Sequence, residues 1–291
     1  MQHSSFARIT LVSVTGLSDA RGAVMALQLS QQQMQGTQAL LCCPQCPQDL
    51  PAGITHFAIA PMNYQEYSWF VMFVLWHMVA TEFALIVQDD GWVLNADNWN
   101  DEFLDYDYIG APIHLARVES TQGTQWLRQF EWSQYLDQPG YAVTPVQNGG
   151  FSLRSQRLMR ALIDHPDIRV EIPQPQVRFE PHMQMYWHND AVNEDVQLSG
   201  ILRPQLETKG IRFAPLALAR SFAAEAFTPI LHDQYNLLQL FGYHSRLCKL
   251  KSLSPLTVIS PLTQEEVGQL YGVPELFLLL IRLGYRIEVA G

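Results

Sequence analysis

Residues 85–112 read LIVQDDGWVLNADNWNDEFLDYDYIGAP. The stretch opens as an apolar strand, Leu85-Ile86-Val87, and stops abruptly at Gln88-Asp89-Asp90-Gly91. Two adjacent carboxylates at the end of a buried strand are costly unless something positive meets them. A divalent cation carrying a phosphorylated substrate meets that need. Mg2+ and Mn2+ take hard oxygen ligands, usually one or two carboxylates plus substrate phosphates. Asp89 and Asp90 are therefore the first candidate site residues, with Gln88 beside them.

Working towards the N-terminus, Ile9 to Thr15 (ITLVSVT) has the pattern of a buried strand. Residues 19–34 follow as a helix with Val24, Leu27 and Leu29 on its apolar side, and 39–43 make a second strand. This is a β-α-β unit with short connections, as in an open α/β sheet. No G-x-G-x-x-G follows the first strand, so the dinucleotide fingerprint is absent. A third strand is expected at 54–60, a strongly apolar helix at 64–81, and a fourth strand at 83–87. That last strand delivers the carboxylates at its C-terminal end, the edge where open α/β sheets bind ligands.

Working towards the C-terminus, 92–94 reads as extended, 98–104 as a short helix and 106–110 as a strand, with Ala111-Pro112 as a turn. Residues 113–146 carry mixed signals and read as a long, partly irregular insertion of the kind that helps to bind substrate. In Gln147-Asn148-Gly149-Gly150-Phe151 the paired glycines let backbone approach a ligand, or make a tight turn before a strand. A helix is expected at 155–163. Residues 165–189, proline-rich with His182 and His188, read as a surface connection. Asn193 is a good N-cap for an amphipathic helix ending near Gly210, and Glu194 and Asp195 suit its first turn. Residues 211–214 read as a further strand. Beyond residue 250, Thr263 caps one helix and 274–283 forms another, apolar on one side. Core packing is the default for that face; a homo-oligomer contact or a peripheral membrane contact are its other readings.

Composition bounds the function. Of 291 residues, 48% are hydrophobic and 16% charged, which gives a sizeable core and excludes disorder. The net charge of −10, with no Lys/Arg-rich run, argues against nucleic acid as a partner. The longest apolar stretch, 68–80, is too short for a membrane span and contains His77. The opening residues show no signal-peptide pattern, so a cytoplasmic protein is expected. Cys42, Cys43 and Cys46 superficially resemble half of a zinc site. No second CxxC or HxxxH accompanies them, so with Cys248 they read as reduced thiols.

Taken in order, the motifs resemble a family of glycosyltransferase-like proteins with a nucleotide-diphospho-sugar transferase (GT-A) fold. The matching pieces are Gln88-Asp89-Asp90-Gly91-Trp92-Val93-Leu94-Asn95, residues 103–112 (FLDYDYIGAP), residues 148–155 (NGGFSLRS), Glu194-Asp195-Val196, residues 210–215 (GIRFAP) and Phe241-Gly242-Tyr243-His244. The resemblance spans roughly residues 8–246. In the family pattern Gln-x-Asp-Gly, Asp90 matches the fixed acid and Asp89 the variable position. Where the family has glycine after the histidine, this chain has Ser245.

The resemblance implies a GT-A-like open mixed sheet flanked by helices, with a Rossmann-like N-terminal half. The domain would span 1–248, followed by a short helical extension, 249–291. It implies transfer of a sugar from a nucleotide-diphosphate donor to a glycan or other hydroxyl acceptor, with inversion, in surface polysaccharide or glycoconjugate synthesis. The setting would be the cytoplasm or the inner face of the membrane. Mn2+ or Mg2+ would be held by Asp90 and His244. Asp195, with Glu194 next in line, would be the base. Ser13, Val14 and Thr15 would hold the nucleotide, with Tyr67 and Ser68 facing the donor and Asn148, Gly149 and Gly150 lining the sugar or acceptor side. The alternatives are nucleotidyl transfer or sugar-nucleotide hydrolysis, which need the same chemistry, and a binding module without turnover.

Overall fold

The computed structural model describes residues 4–233 and 235–291. Met1–His3 and Gln234, which fall within the expected 1–248 domain, lie outside the described residues.

The protein is an α/β fold built on an open mixed sheet. Its first strands are β1 (Ile9–Val14), β2 (Gln38–Cys43), β3 (Ile54–Ala58) and β4 (Phe83–Ile86), joined in part by helices α1 (Arg21–Gln33) and α2 (Tyr64–Phe73). These four strands pair in parallel. Every residue of β1 and β4 is buried, as a parallel strand covered on both faces requires. The alternation along β1 assigns the faces. Ile9 and Leu11 pack with Ala26 and Leu27 of α1. Val12 and Val14 pack with Tyr67 and Val71 of α2 on the other side. Helix α2 starts cleanly because Asn63 and Glu66 form a reciprocal capping box.

After a short strand, β5 (Gly91–Val93), come β6 (Tyr108–Ser120), β7 (Gly123–Leu127) and β8 (Ala142–Ser155). The seven-stranded sheet runs β3-β2-β1-β4-β8-β6-β7, antiparallel from the β4–β8 pairing onward. Two expectations change here. Ala111-Pro112 is no turn; it lies inside β6, where register shifts on both sides of Pro112 absorb its missing N–H. Residues 113–146 are largely regular rather than an irregular insertion, forming the outer half of β6, a hairpin to β7, a 3-10 turn at Glu131–Tyr135 and the start of β8. The glycine pair also sits within β8 and makes no turn.

Helix α3 (Gln156–Asp164) is capped by Ser155, whose Oγ accepts from the Leu158 N–H. The connection that follows carries a small hairpin of β9 (Gln176–Arg178) and β10 (Gln184–Tyr186). The helix expected from 193 to 210 is broken into α4 (Glu194–Val196), a π turn at Gln197–Ile201 and α5 (Arg203–Thr208). The strand expected at 211–214 reduces to one bridge, Tyr108 to Phe213. Next come α6 (Leu216–Phe222), β11 (Ala223–Ala224), α7 (Pro229–His232) and β12 (Gly242–His244).

The tail is more than helical. It contains β13 (Lys249–Leu253), β14 (Leu256–Thr263), α8 (Gln264–Gln269), α9 (Val273–Arg282) and β15 (Arg286–Ala290), the strands forming their own sheet. Thr263 caps α8 with a capping box, as its sequence predicts. One face of α9, with Leu276, Leu279 and Leu280, joins the same core as Trp92 and Phe241, while Leu278 and Ile281 are exposed.

Candidate active site

The turn that ends β4 is tight. Gln88 and Gly91 exchange both backbone hydrogen bonds, at 2.7 and 3.0 Å, so Asp89 and Asp90 are its two central residues. Later parts of the chain clamp it. The Ser245 N–H donates to the Asp90 carbonyl at 2.7 Å, and the Leu250 N–H to the Asp89 carbonyl at 2.8 Å. Antiparallel pairing of β12 with β5 sets His244 opposite Gly91.

A cavity of about 380 Å³ opens beside this turn, at the C-terminal ends of β1 and β4. Ser13, Val14 and Thr15 line it from β1, Tyr64 and Tyr67 from α2, Gln88, Asp89 and Asp90 from the turn, and Lys249 from the tail. Gln88 Nε2 donates to the Tyr67 hydroxyl at 2.9 Å, fixing the floor. Lys249 Nζ bridges Asp89 at 3.1 Å. Ser68 is not on this wall; it is fully buried and its hydroxyl donates to the Tyr64 carbonyl.

Asp90 Oδ1 lies 3.3 Å from His244 Nε2. Even so, that oxygen is buried without a well-formed hydrogen bond. Burial alone would lift the Asp90 pKa, but His244 and then Lys249 hold it below the ordinary value. Burial likewise opposes a charged His244, yet Asp90, Glu225 and Asp195 outweigh it and raise the imidazole to about 9. Donors on neighbouring positions of an octahedral Mg2+ or similar ion sit about 3 Å apart, given bonds of about 2.1 Å. Asp90 and His244 are so spaced and can share a cation. Among the described residues no group of three or more His, Cys, Asp or Glu side chains forms a metal cluster. Further ligands would be phosphate or water.

His244 is steadied from behind. Asn148 Nδ2 donates to Glu225 at 2.5 Å and lies 3.2 Å from His244 Nδ1, while Asn148 Oδ1 accepts from the Phe151 N–H. Glu225 itself stands 3.9 Å from His244 Nδ1. Burial raises the Glu225 pKa and His244 partly offsets that rise.

The two acids of α4 play different parts. Glu194 is 3% exposed and accepts from Arg154 Nη2 at 2.8 Å. Arg154 is 1% exposed, lies over the Tyr108 ring and donates to Ser152 Oγ. Among the described residues Asp195 has no cationic partner of this kind; its Oδ1 accepts from the Val196 N–H at 2.8 Å. Burial, with Glu194 and Glu225 repelling its charge, pushes Asp195 up to about 8. Asn193 occupies the N-cap position with no side-chain cap bond, and both acids lie in the first turn of α4.

The glycines of β8 sit between the two acid centres. A Cβ at Gly149 would come within 2.1 Å of Glu194 Oε1, and one at Gly150 within 2.4 Å of His244 Nε2 and 2.6 Å of Gln88 Oε1. Their role is space rather than left-handed backbone. Of the residues singled out in the sequence, Ser13, Val14, Thr15, Tyr67, Gln88, Asp89 and Asp90 share one cavity, with His244, Asn148 and Gly150 adjoining. Glu194 stands across Gly149, with Asp195 next to it in α4. Sequence reasoning missed Glu225, Lys249 and the pairing role of Arg154. Glu225 left one signal, as the lone charge in the run Phe222–Phe227 (FAAEAF).

No curated protein matches the sequence. Among solved structures the chain is similar to the galactosyltransferase LgtC in complex with donor and acceptor sugar analogues, at 11% identity and a TM-score of 0.44, covering 94% of this chain and 95% of that one. An active-site mutant of LgtC is similar at 10% identity and a TM-score of 0.41, with the same coverage. A family described as "Protein of unknown function (DUF5672)" matches residues 60–244, which include Asp90, Asn148, Asp195, Glu225 and His244. That match spans well over half of the 291 residues, and the chain belongs to this family.

Proposed function

We propose that the protein is a metal-dependent glycosyltransferase that moves a sugar from a nucleotide-diphosphate donor to a hydroxyl acceptor with inversion. One observation carries this reading. A strand-end cavity is lined by Asp90 and Lys249; behind Asp90 stands His244, spaced to share a cation with it, and the charge of Asp195, a carboxylate whose pKa is raised by burial and its acidic neighbours, is felt at both His244 and the cavity's Tyr64.

In this reading Ser13, Val14 and Thr15 receive the nucleotide, and Lys249 faces the diphosphate, released from Asp89 as phosphate takes its place. Asp90 and His244 hold Mn2+ or Mg2+, which when bound would act as a Lewis acid toward the charge that develops on the leaving diphosphate. Asp195 takes the proton of the acceptor hydroxyl as that oxygen attacks the anomeric carbon. General-base catalysis of this kind contributes about 10² to 10⁴ in rate and works best with a pKa near the working pH. Glu194 and Arg154 fix the turn that presents Asp195. Surface polysaccharide or glycoconjugate synthesis follows as the setting from the family resemblance. Asp90 is partnered by a histidine and not by an arginine, which favours an active site over a binding-only relic.

A thermal-shift screen of nucleotide sugars, with and without Mn2+, tests the reading. A true donor should stabilise the fold by about 2.7 kcal/mol at a hundredfold excess over its dissociation constant. Asp90→Ala should erase the Mn2+-dependent part of that shift. If it leaves that part intact, Asp90 is not a metal ligand. If no nucleotide sugar stabilises the protein, the transferase reading fails. Turnover of the donor without any acceptor would point to hydrolysis instead.

A further inference from the structure

A second, larger cavity of about 790 Å³ is lined in part by Val196 of α4. Its walls include Arg117, Trp126, Glu171, His188, Gln205 and Val196. Val196 directly follows Asp195, and α4 packs against α2, whose Tyr64 lines the first cavity. The turn that carries Asp195 thus touches the larger cavity through Val196 and packs on the helix that lines the smaller one.

The lining has a specific chemistry. Trp126 is half-buried, and the far edge of its ring rests where a Cβ on Gly200 would come within 2.9 Å. Its indole N–H has no hydrogen-bond acceptor among the described residues, a state it shares with the exposed Trp69, whereas those of Trp76, Trp92, Trp99, Trp132 and Trp187 are satisfied. Around this ring stand groups with fixed polar edges. Gln205 Nε2 donates to Glu171 at 3.0 Å, and Arg117 is held by Glu119 at 2.9 Å. A flat aromatic face ringed by carboxylate, amide and guanidinium groups suits a ligand with an apolar C–H face and hydroxyls that both donate and accept. A pyranose ring has both. The acid on the wall disfavours an anion, and the polar rim disfavours a hydrocarbon. The volume lies inside the range of about 300–1,000 Å³ of small-molecule sites, with room for more than one ring.

We propose that this cavity binds the acceptor, as a carbohydrate whose ring stacks on Trp126 and whose free hydroxyl reaches past Val196 to Asp195. The proposal rests on the transferase reading and names its acceptor class.

The test uses the full chain on an array of defined oligosaccharides, with titration of the tightest binder. UDP with Mn2+ serves as a separate probe of the first cavity by thermal shift. The expected result is that Trp126→Ala weakens the glycan at least tenfold and Gln205→Ala several-fold, with the nucleotide shift unchanged in both. Gln205→Ala guards against misfolding of the tryptophan variant. An array on which no glycan binds would overturn the proposal, as would a glycan held equally well by both variants, and in either case a retained nucleotide shift leaves the transferase reading standing. Glycan binding lost in both variants, in a protein that no nucleotide sugar stabilises, would remove the acceptor role along with that reading.

Discussion

Asp195 is where burial and repulsion concentrate. Burial and the charges of Glu194 and Glu225 push its pKa up to about 8, far above the usual carboxylate range. If it accepts the proton of the acceptor, transfer should rise with pH and level off near 8. The pH profile of kcat/KM, wild type against Asp195→Asn, checks this; normal turnover in the variant would move the base elsewhere. Gly150 gives a second test at this scale. In Gly150→Ala the new methyl would meet His244 Nε2 and Gln88 Oε1, far inside contact distance. We expect the Mn2+-dependent thermal shift to disappear and the unliganded protein to lose stability as well, since His244 is held by Asn148 and Gln88 by Tyr67, and both must shift. Asp90 was legible in the sequence because a carboxylate closing an apolar strand has no cheap structural explanation. Lys249 and Glu225 were not. Each is unremarkable locally and acquires meaning only through partners 160 and 77 positions away.

At the scale of elements, the readable parts were those buried uniformly or alternately. β1, β2, β4 and α1 fall close to their expected bounds, because a parallel strand covered on both faces is a continuous apolar run. β6 and β8 misled for one reason. Pro112 and Pro145 lack the donor a strand needs, and the glycine pair mimics a turn, yet all four sit in paired strands. Their placement answers to neighbours, such as Glu194 and His244 against the glycines, that lie far off in the chain. The tail gives the test for this scale. Trp92, beside the acidic turn, donates its indole N–H to the Tyr285 hydroxyl at 2.6 Å, and both rings are buried. Tyr285→Phe leaves that donor unsatisfied and should cost about 1–3 kcal/mol in chemical denaturation. No change would mean that the tail docks through apolar contacts alone.

For the whole molecule, charge and pH are linked through the site. Asp195 is raised from 3.8 to about 8, so between these values the native state holds a proton that the unfolded chain has lost. Stability contributed by this group is therefore complete below the lower value and is lost as pH rises through the upper one. His244, raised from 6.5 to about 9, acts in the same sense over its own interval. The melting temperature should accordingly fall from mildly acid to mildly alkaline solution. Asp195→Asn should flatten the first part of that fall and shrink the part due to His244 without abolishing it, since Asp90 and Glu225 still raise the imidazole. A slope identical to wild type would show that Asp195 titrates normally. No helix among the described residues is long and apolar enough to cross a membrane.

The clamp on the acidic turn sets an order of events. Asp89 and Asp90 leave the ribosome long before Lys249 and Leu250, the partners that close over them. A nascent chain paused after the family region would carry every acid of the pocket without its lid of backbone bonds or its lysine. The closed form of the turn would then wait until β12 and β13 have docked.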